Sequence, residues 1–327
     1  LWINLDSICL VKGLTDIPGI LVGHASDYDG LTGCTVILCE RGAVAGGDIR
    51  GGATGTEEWD LLSPLNGTDR IHGVSLAGRS VYGLEAASGV RRFLEHKGVG
   101  FQFGPVKVPL VVGAILFDFA VGKPAVRPSR EMGESAAAAA SDKAVEEGAI
   151  GAGTGATVGK MLGMKQAMKS GIGSYTVELP GGFKVSALAA VNAVGDVKDP
   201  STGQIVAGAR KSPDSMEFAD GARAMKMRAV QPPPARENTT LVVVATNALL
   251  TKVEANKLAQ SGSLGMARAI DPVNTMNDGD LVIALSVGEK RAPIDALGAG
   301  AAEAVAGAIL RAVKMAPSMA GLPGLKK

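Results

Sequence analysis

Asn238-Thr239-Thr240 opens the apolar run Leu241-Val242-Val243-Val244, directly behind a lead-in that carries Pro232, Pro233 and Pro234. Consecutive prolines favour an extended, solvated backbone, whereas a short β-branched run reads as a buried strand. The threonine pair therefore stands where an exposed segment enters a core. A threonine hydroxyl at such a junction has a chemistry that needs no histidine. The expectation is that the chain is cut here: Thr239 would attack the Asn238 carbonyl in an N→O acyl shift, and hydrolysis of the ester would free an α-amine on the same residue. That amine, with a reference pKa of about 7.7–8.0, can act as base to its own hydroxyl near neutrality. The expected products are residues 1–238 and 239–327. The residues alone also allow plainer readings. A β-branched strand start is the default without further context, and Asn-Thr-Thr is formally a glycosylation sequon, which requires secretion.

Other stretches offer supporting groups. Gly151-Ala152-Gly153-Thr154-Gly155-Ala156 fits a GxGxxA dinucleotide pattern, but it follows an expected helix instead of a strand, so the nucleotide reading is weak. The same run could offer backbone N–H groups to an oxyanion or carboxylate, with Lys160 at its end. Asp278 and Asp280 lie two apart and share a face of an extended backbone; Asp-Gly-Asp is also ordinary turn chemistry. Asn192 could donate to a tetrahedral oxyanion or be a satisfied strand-end asparagine. Arg79 and Tyr82 could line a pocket or simply cap and pack a helix. The Gly-rich loop from Asp48 to Thr56 reads equally as a turn cluster and as a pocket wall.

The 327 residues are 46% hydrophobic, enough for a large core, with a net charge of +1. The absence of a basic block and the scarcity of aromatic residues argue against nucleic acid as a partner. Cys9, Cys34 and Cys39 lack metal spacing, and His24, His72 and His96 form no cluster with them, so no metal and no cofactor are expected. Buried thiols in a reducing cytoplasm fit the cysteines best. No apolar stretch approaches ~20 uninterrupted residues, so no membrane span is expected. Leu1-Trp2-Ile3-Asn4-Leu5 does not read as a signal peptide.

The positioning elements follow from periodicity. Short β runs are expected at Ile20–Val22, Thr35–Leu38, Ala43–Ala45 and Val74–Leu76, with a central strand over Leu110–Phe117. Helices are expected over Tyr82–Lys97, from Pro128 through the five alanines at 136–140 to Glu147, over Thr251–Ile270, and over Ile294–Met315. Ser174–Ala209 reads as an antiparallel meander turning at Pro180-Gly181-Gly182. Leu281–Leu285 is a buried strand. Antiparallel strands with segregated helices make the chain α+β, and no linker divides residues 1–327, so one domain is expected.

The stretch Asn238 to Asn247 resembles the processing site of the bacterial L-aminopeptidase/D-esterase family, which includes β-aminopeptidases and nylon-oligomer hydrolases. Other blocks agree in order: Thr15 to His24, Gly46 to Gly52, Ala77 to Ala86, Gly151 to Lys160, and Asn277 to Asp280. The resemblance implies a four-layer αββα sandwich like that of N-terminal-nucleophile hydrolases, with different connectivity. It implies Thr239 as nucleophile, Asn192 as oxyanion-stabilising residue, and Lys160 with Asp278 and Asp280 as active-site partners. Lys160 and the acid pair match the nylon-oligomer branch; the L-aminopeptidase branch carries a tyrosine near the lysine position and a serine at the first acidic one. An ammonium at Lys160 would depress the Thr239 amine pKa, and the acid pair would orient Thr239 and hold Lys160. The implied substrates are small amino-acid amides, short peptides or ω-amino-acid oligomers. The implied assembly is a homo-oligomer, a tetramer of processed heterodimers. A contrasting expectation is an unprocessed, non-catalytic homologue acting in assembly or small-molecule binding.

Overall fold

The computed structural model describes residues 12–227 and 238–327. Leu1 to Leu5, Cys9, the prolines at 232–234, and Arg236 with Glu237 lie outside the described residues. The two expected runs at Thr35–Leu38 and Ala43–Ala45 are one strand. β1 (Leu21–Asp27) pairs with β2 (Thr32–Ile49), an 18-residue strand that bends at Glu40-Arg41-Gly42. Gly42 takes φ +80°, and the register with the next strand slips between Leu38 and Ala43. Glycine adopts that backbone without strain, and the slip falls in the middle of β2, which is shared by the two packed layers of one continuous nine-stranded ladder.

The first half of β2 lies between β1 and β3 (Arg70–Ala77), and β3 pairs in parallel with β4 (Val111–Ile115). Helices α1 (Glu85–His96) and α2 (Arg130–Ala138) cover this sheet through Ala86, Val90, Leu94 and Ala136. The second half of β2 joins the other sheet, whose order is β5 (Ile172–Leu179), β6 (Phe183–Asn192), β7 (Thr239–Ala248), β8 (Leu281–Lys290), β2. Here α3 (Lys252–Ala269) and α4 (Ile294–Lys314) form the cover.

Strand β7 shows why the layers stack as helices, sheet, sheet, helices. Leu241, Val243 and Ala245 face the core between the two sheets, while Val242 and Val244 face α3 and α4. A strand buried on both faces needs an unbroken apolar run, and that is what its sequence carries. The α+β sandwich read from the sequence is the observed architecture. The helix α4 is long and apolar enough to match a membrane span by composition, yet Leu297, Ala301, Val305 and Ile309 pack into the core.

One helix falls short of expectation. The alanine run does not stay helical to Glu147; α2 ends at Ala138. Ser141 instead exchanges backbone hydrogen bonds with Val22, adding a bridge to the edge of β1. Tertiary pairing there overrides helix propensity. The meander also divides: β5 and β6 form the expected hairpin, but Asp196–Lys198 and Ile205–Ala207 form a separate small sheet with Ile270–Asp271.

Candidate active site

Strand pairing alone gathers the candidate residues. Thr239, the first residue of β7, lies opposite Asn192, the last residue of β6, in the antiparallel ladder. On its other side β7 runs parallel to β8, and a parallel bridge between Asn238 and Asp278 extends that pairing ahead of β8. Three adjacent strands thus bring Asn192, the Asn238–Thr239 bond and the Asp278–Asp280 turn side by side.

The bond is buried, with Asn238 and Thr239 only 5% and 2% exposed. Thr239 Oγ1 donates to the Asn238 carbonyl oxygen at 2.5 Å. The Gly279 N–H donates to the same oxygen at 3.1 Å. A donor held on this carbonyl sits where negative charge would develop during attack. A Cβ at Gly279 would fall 2.8 Å from Thr239 Oγ1, so glycine is what lets the turn approach the threonine.

Both acids of the turn are buried. Asp280 accepts the Thr240 N–H at 2.6 Å and the Asn274 N–H at 2.9 Å, one on each oxygen. Asp278 accepts the Thr275 N–H at 2.8 Å on Oδ2, while its buried Oδ1 has no hydrogen-bond partner among the described residues. Burial raises both carboxyls above the usual carboxylate range. The charge of Asp278 pushes Asp280 further up, and the hydrogen bonds from Thr275, with a smaller pull from the Lys160 ammonium, bring Asp278 part of the way back. The Gly-rich loop clamps the turn from outside: Arg50 and Gly51 donate backbone N–H groups to Asp280 O, and Ala53 donates to Asp278 O.

Lys160 opens a one-turn 3₁₀ segment, Lys160–Leu162, behind Gly159 in the left-handed region. Its Nζ donates to Asn192 O at 2.9 Å and to Asn192 Oδ1 at 2.8 Å. Asn192 Oδ1 also accepts the Thr157 N–H at 3.1 Å, and Asn192 Nδ2 donates to Phe117 O at 2.7 Å. The five residues expected to act together are therefore in one cluster. Gly279, Phe117 and Thr157, which supply backbone groups to it, carry no distinguishing signal in the sequence beyond the Asp-Gly-Asp glycine.

Arg79 is different. It is fully buried, and Nε, Nη1 and Nη2 all donate to backbone carbonyls, those of Val126, Asp118, Gly30 and Val121. A guanidinium so engaged and fully buried ties the loops together and lines no open pocket. Tyr82 is 49% exposed, with the Arg127 guanidinium 3.5 Å from its ring centroid and Phe119 edge-on to it. Cys34 and Cys39 sit on opposite faces of β2, and burial pushes both thiols up to about 12, which leaves no thiolate near neutrality. Among the described residues no group of His, Cys, Asp and Glu could hold a metal ion. The Gly151–Gly153 turn is buried against neighbouring backbone, with no open face for a dinucleotide.

The sequence from residue 12 to 327 matches the family model of peptidase family S58. The chain belongs to that family. An aminopeptidase of Mycobacterium leprae, itself uncharacterised, is 38% identical over 344 residues, covering 96% of this chain and 93% of that protein. A 6-aminohexanoate-oligomer endohydrolase of a Kocuria species is 32% identical over 314 residues, covering 91% of this chain and 85% of its own length. Among solved structures, the L-aminopeptidase D-Ala-esterase/amidase of Ochrobactrum anthropi superposes with a TM-score of 0.70 at 20% identity, covering 95% of this chain and 88% of that one. It is described as a variant of the Ntn hydrolase fold, and this S58 chain shares that fold. The chain is thus a hydrolase of peptide or amide bonds.

Proposed function

We propose that this S58 peptidase is a self-processing amide hydrolase whose nucleophile is the N-terminal threonine made by cutting Asn238–Thr239. The observation that carries the reading is the contact of Thr239 Oγ1 with the Asn238 carbonyl, on which the Gly279 N–H already rests. In the first step Oγ1 bonds to the Asn238 carbonyl carbon and the bond from that carbon to the Thr239 nitrogen breaks. The hydroxyl proton passes to the departing nitrogen through a carboxylate of the acid pair. Water then splits the ester, leaving a carboxylate on Asn238 and a hydroxyl and an amine on Thr239. In turnover the amine takes the hydroxyl proton, Oγ1 bonds to the substrate carbonyl carbon as its bond to the leaving nitrogen breaks, and that nitrogen takes the proton from the Thr239 ammonium; water, deprotonated by the same amine, then splits the acyl-enzyme, releasing the acid and restoring the hydroxyl. Asn192 stabilises the oxyanion. Lys160 holds Asn192 in place and keeps the Thr239 amine from remaining protonated.

The substrates of this reading are small amino-acid amides, short peptides or ω-amino-acid oligomers; the resemblance of Lys160, Asp278 and Asp280 to the nylon-oligomer branch favours the oligomers. The processed chain assembles as a homo-oligomer, a tetramer of cut heterodimers. The test is the Thr239→Ala variant together with acyl-enzyme trapping. The variant should remain one chain and be inactive. Acid-quenched wild type should carry the acyl mass on residues 239–327. Acyl mass on any other segment would overturn the nucleophile assignment.

A further inference from the structure

Among the buried charged groups outside the chemistry described above, Arg79, Asp118 and Lys169 are 0%, 2% and 1% exposed. We propose that they form a positioning frame for the Asn192 amide, with Asp118 as its central residue. This rests on the reading of Asn192 as a catalytic group.

On one side the frame is a reciprocal clamp. The Arg79 backbone N–H donates to Asp118 Oδ1 at 2.7 Å, while Arg79 Nη1 donates to the Asp118 backbone oxygen at 2.6 Å. Thr32 Oγ1 donates to Asp118 Oδ2 at 3.2 Å. The carboxylate fits only because residues 78 and 155 are glycines. A Cβ at either would fall 2.5 Å or 2.4 Å from Asp118 Oδ2. The residue fixed in this way is preceded by Phe117, whose carbonyl accepts Asn192 Nδ2 at 2.7 Å.

On the other side Lys169 Nζ donates to the carbonyls of Ala156 and Ser170, at 2.8 Å and 2.7 Å. The Ala156 carbonyl and the Thr157 N–H belong to one peptide unit. That N–H donates to Asn192 Oδ1, beside Thr157 Oγ1 and Lys160 Nζ. Burial lowers Lys169 to about 7; in its charged form the ammonium on the carbonyl end polarises the peptide and strengthens its N–H as a donor, and in either form Nζ donates to that carbonyl. The two ends of the Asn192 amide are therefore anchored by separate buried charges, one through an acceptor and one through a donor. The pair forbids the flipped amide, which would set an N–H against the Thr157 N–H and an oxygen against the Phe117 oxygen. It also keeps Oδ1 turned towards Lys160.

A frame that acts through Asn192 has a signature that mere packing lacks, and a double-mutant cycle reads it. The variants are Asp118→Asn, Asn192→Ala and the double variant, assayed on an amino-acid p-nitroanilide and a linear 6-aminohexanoate oligomer. Asp118→Asn should lower kcat by about 100-fold, the scale of a misplaced catalytic group, with KM nearly unchanged. In the Asn192→Ala background the same substitution should change kcat by no more than about twofold. An equal loss in both backgrounds, or no loss in Asp118→Asn, overturns the frame. If Asp118→Asn does not fold, Lys169→Met reaches the amide from its other end, and the same criterion applies. Full activity in Asn192→Ala would instead contradict the catalytic reading of Asn192, so the two failures are told apart.

Discussion

Asn192 and Thr239 are direct partners across the β6–β7 ladder, the last residue of one strand against the first of the next. Backbone register, which the whole core enforces, therefore sets the distance between a proposed nucleophile and its proposed oxyanion donor. A one-residue slip of β7 would turn Val242 and Val244 out of the α3–α4 core. The site is as well defined as the sheet beneath it.

The closeness of Gly279 to Thr239 gives the first prediction. Gly279→Ala puts a methyl 2.8 Å from Oγ1 and 3.1 Å from Cγ2, so the hydroxyl must move or the turn must open. Self-cleavage should slow by about 100-fold, the usual cost of ångström-scale misplacement. The half-time of precursor loss on a denaturing gel measures it, and a melting temperature close to that of wild type would show that the fold survives.

The acid pair makes the stability of the uncut chain depend on pH. Asp278 and Asp280 are both raised above their unfolded values by burial. The folded chain then binds more protons than the unfolded one once pH exceeds about 4, so stability falls as pH rises through the raised folded values. The contribution of the pair, read as the difference in denaturant midpoint between uncut Thr239→Ala and the same chain carrying Asp280→Asn, should thus fall between about pH 4 and pH 8; the buried His24, pulled down to about 4, acts in the opposite sense and cancels in that difference.

Lys160 lowers the Asp278 carboxyl through its charge. Removing that charge in Lys160→Met should push Asp278 higher. The alkaline rise in the self-cleavage rate should then move to higher pH, whereas Lys160→Arg should move it less. A pH–rate profile of freshly expressed precursor separates the two.

A fourth prediction concerns stability alone. Thr251 caps α3 in a capping box with Glu254, accepting its N–H at 3.2 Å and donating its own N–H to the carboxylate at 2.7 Å. Thr251→Ala should cost about 1 kcal/mol of stability by chemical denaturation and leave self-cleavage unaltered.

Much of this was legible in the sequence where local and tertiary preferences agree. The run Leu241–Val244 reads as a buried strand because both its faces need apolar residues, and the helix expected over Thr251–Ile270 is α3 to within a residue at each end. The alanines after Ala138 misled because a backbone bridge from Ser141 to Val22 outweighs helix propensity. Arg79 was open to two readings since composition does not distinguish a substrate-facing guanidinium from one spent on four carbonyls. The contributions of Phe117, Thr157 and Gly279 are made by backbone groups, which every residue owns, so only the fold reveals them.

The central claim is the cut at Asn238–Thr239, and the intact mass of the purified wild-type protein under denaturing conditions tests it most directly. Two fragments, residues 1–238 and 239–327, with masses summing to the full chain plus one water, are the predicted result. A single uncut chain that still hydrolyses amides would contradict it.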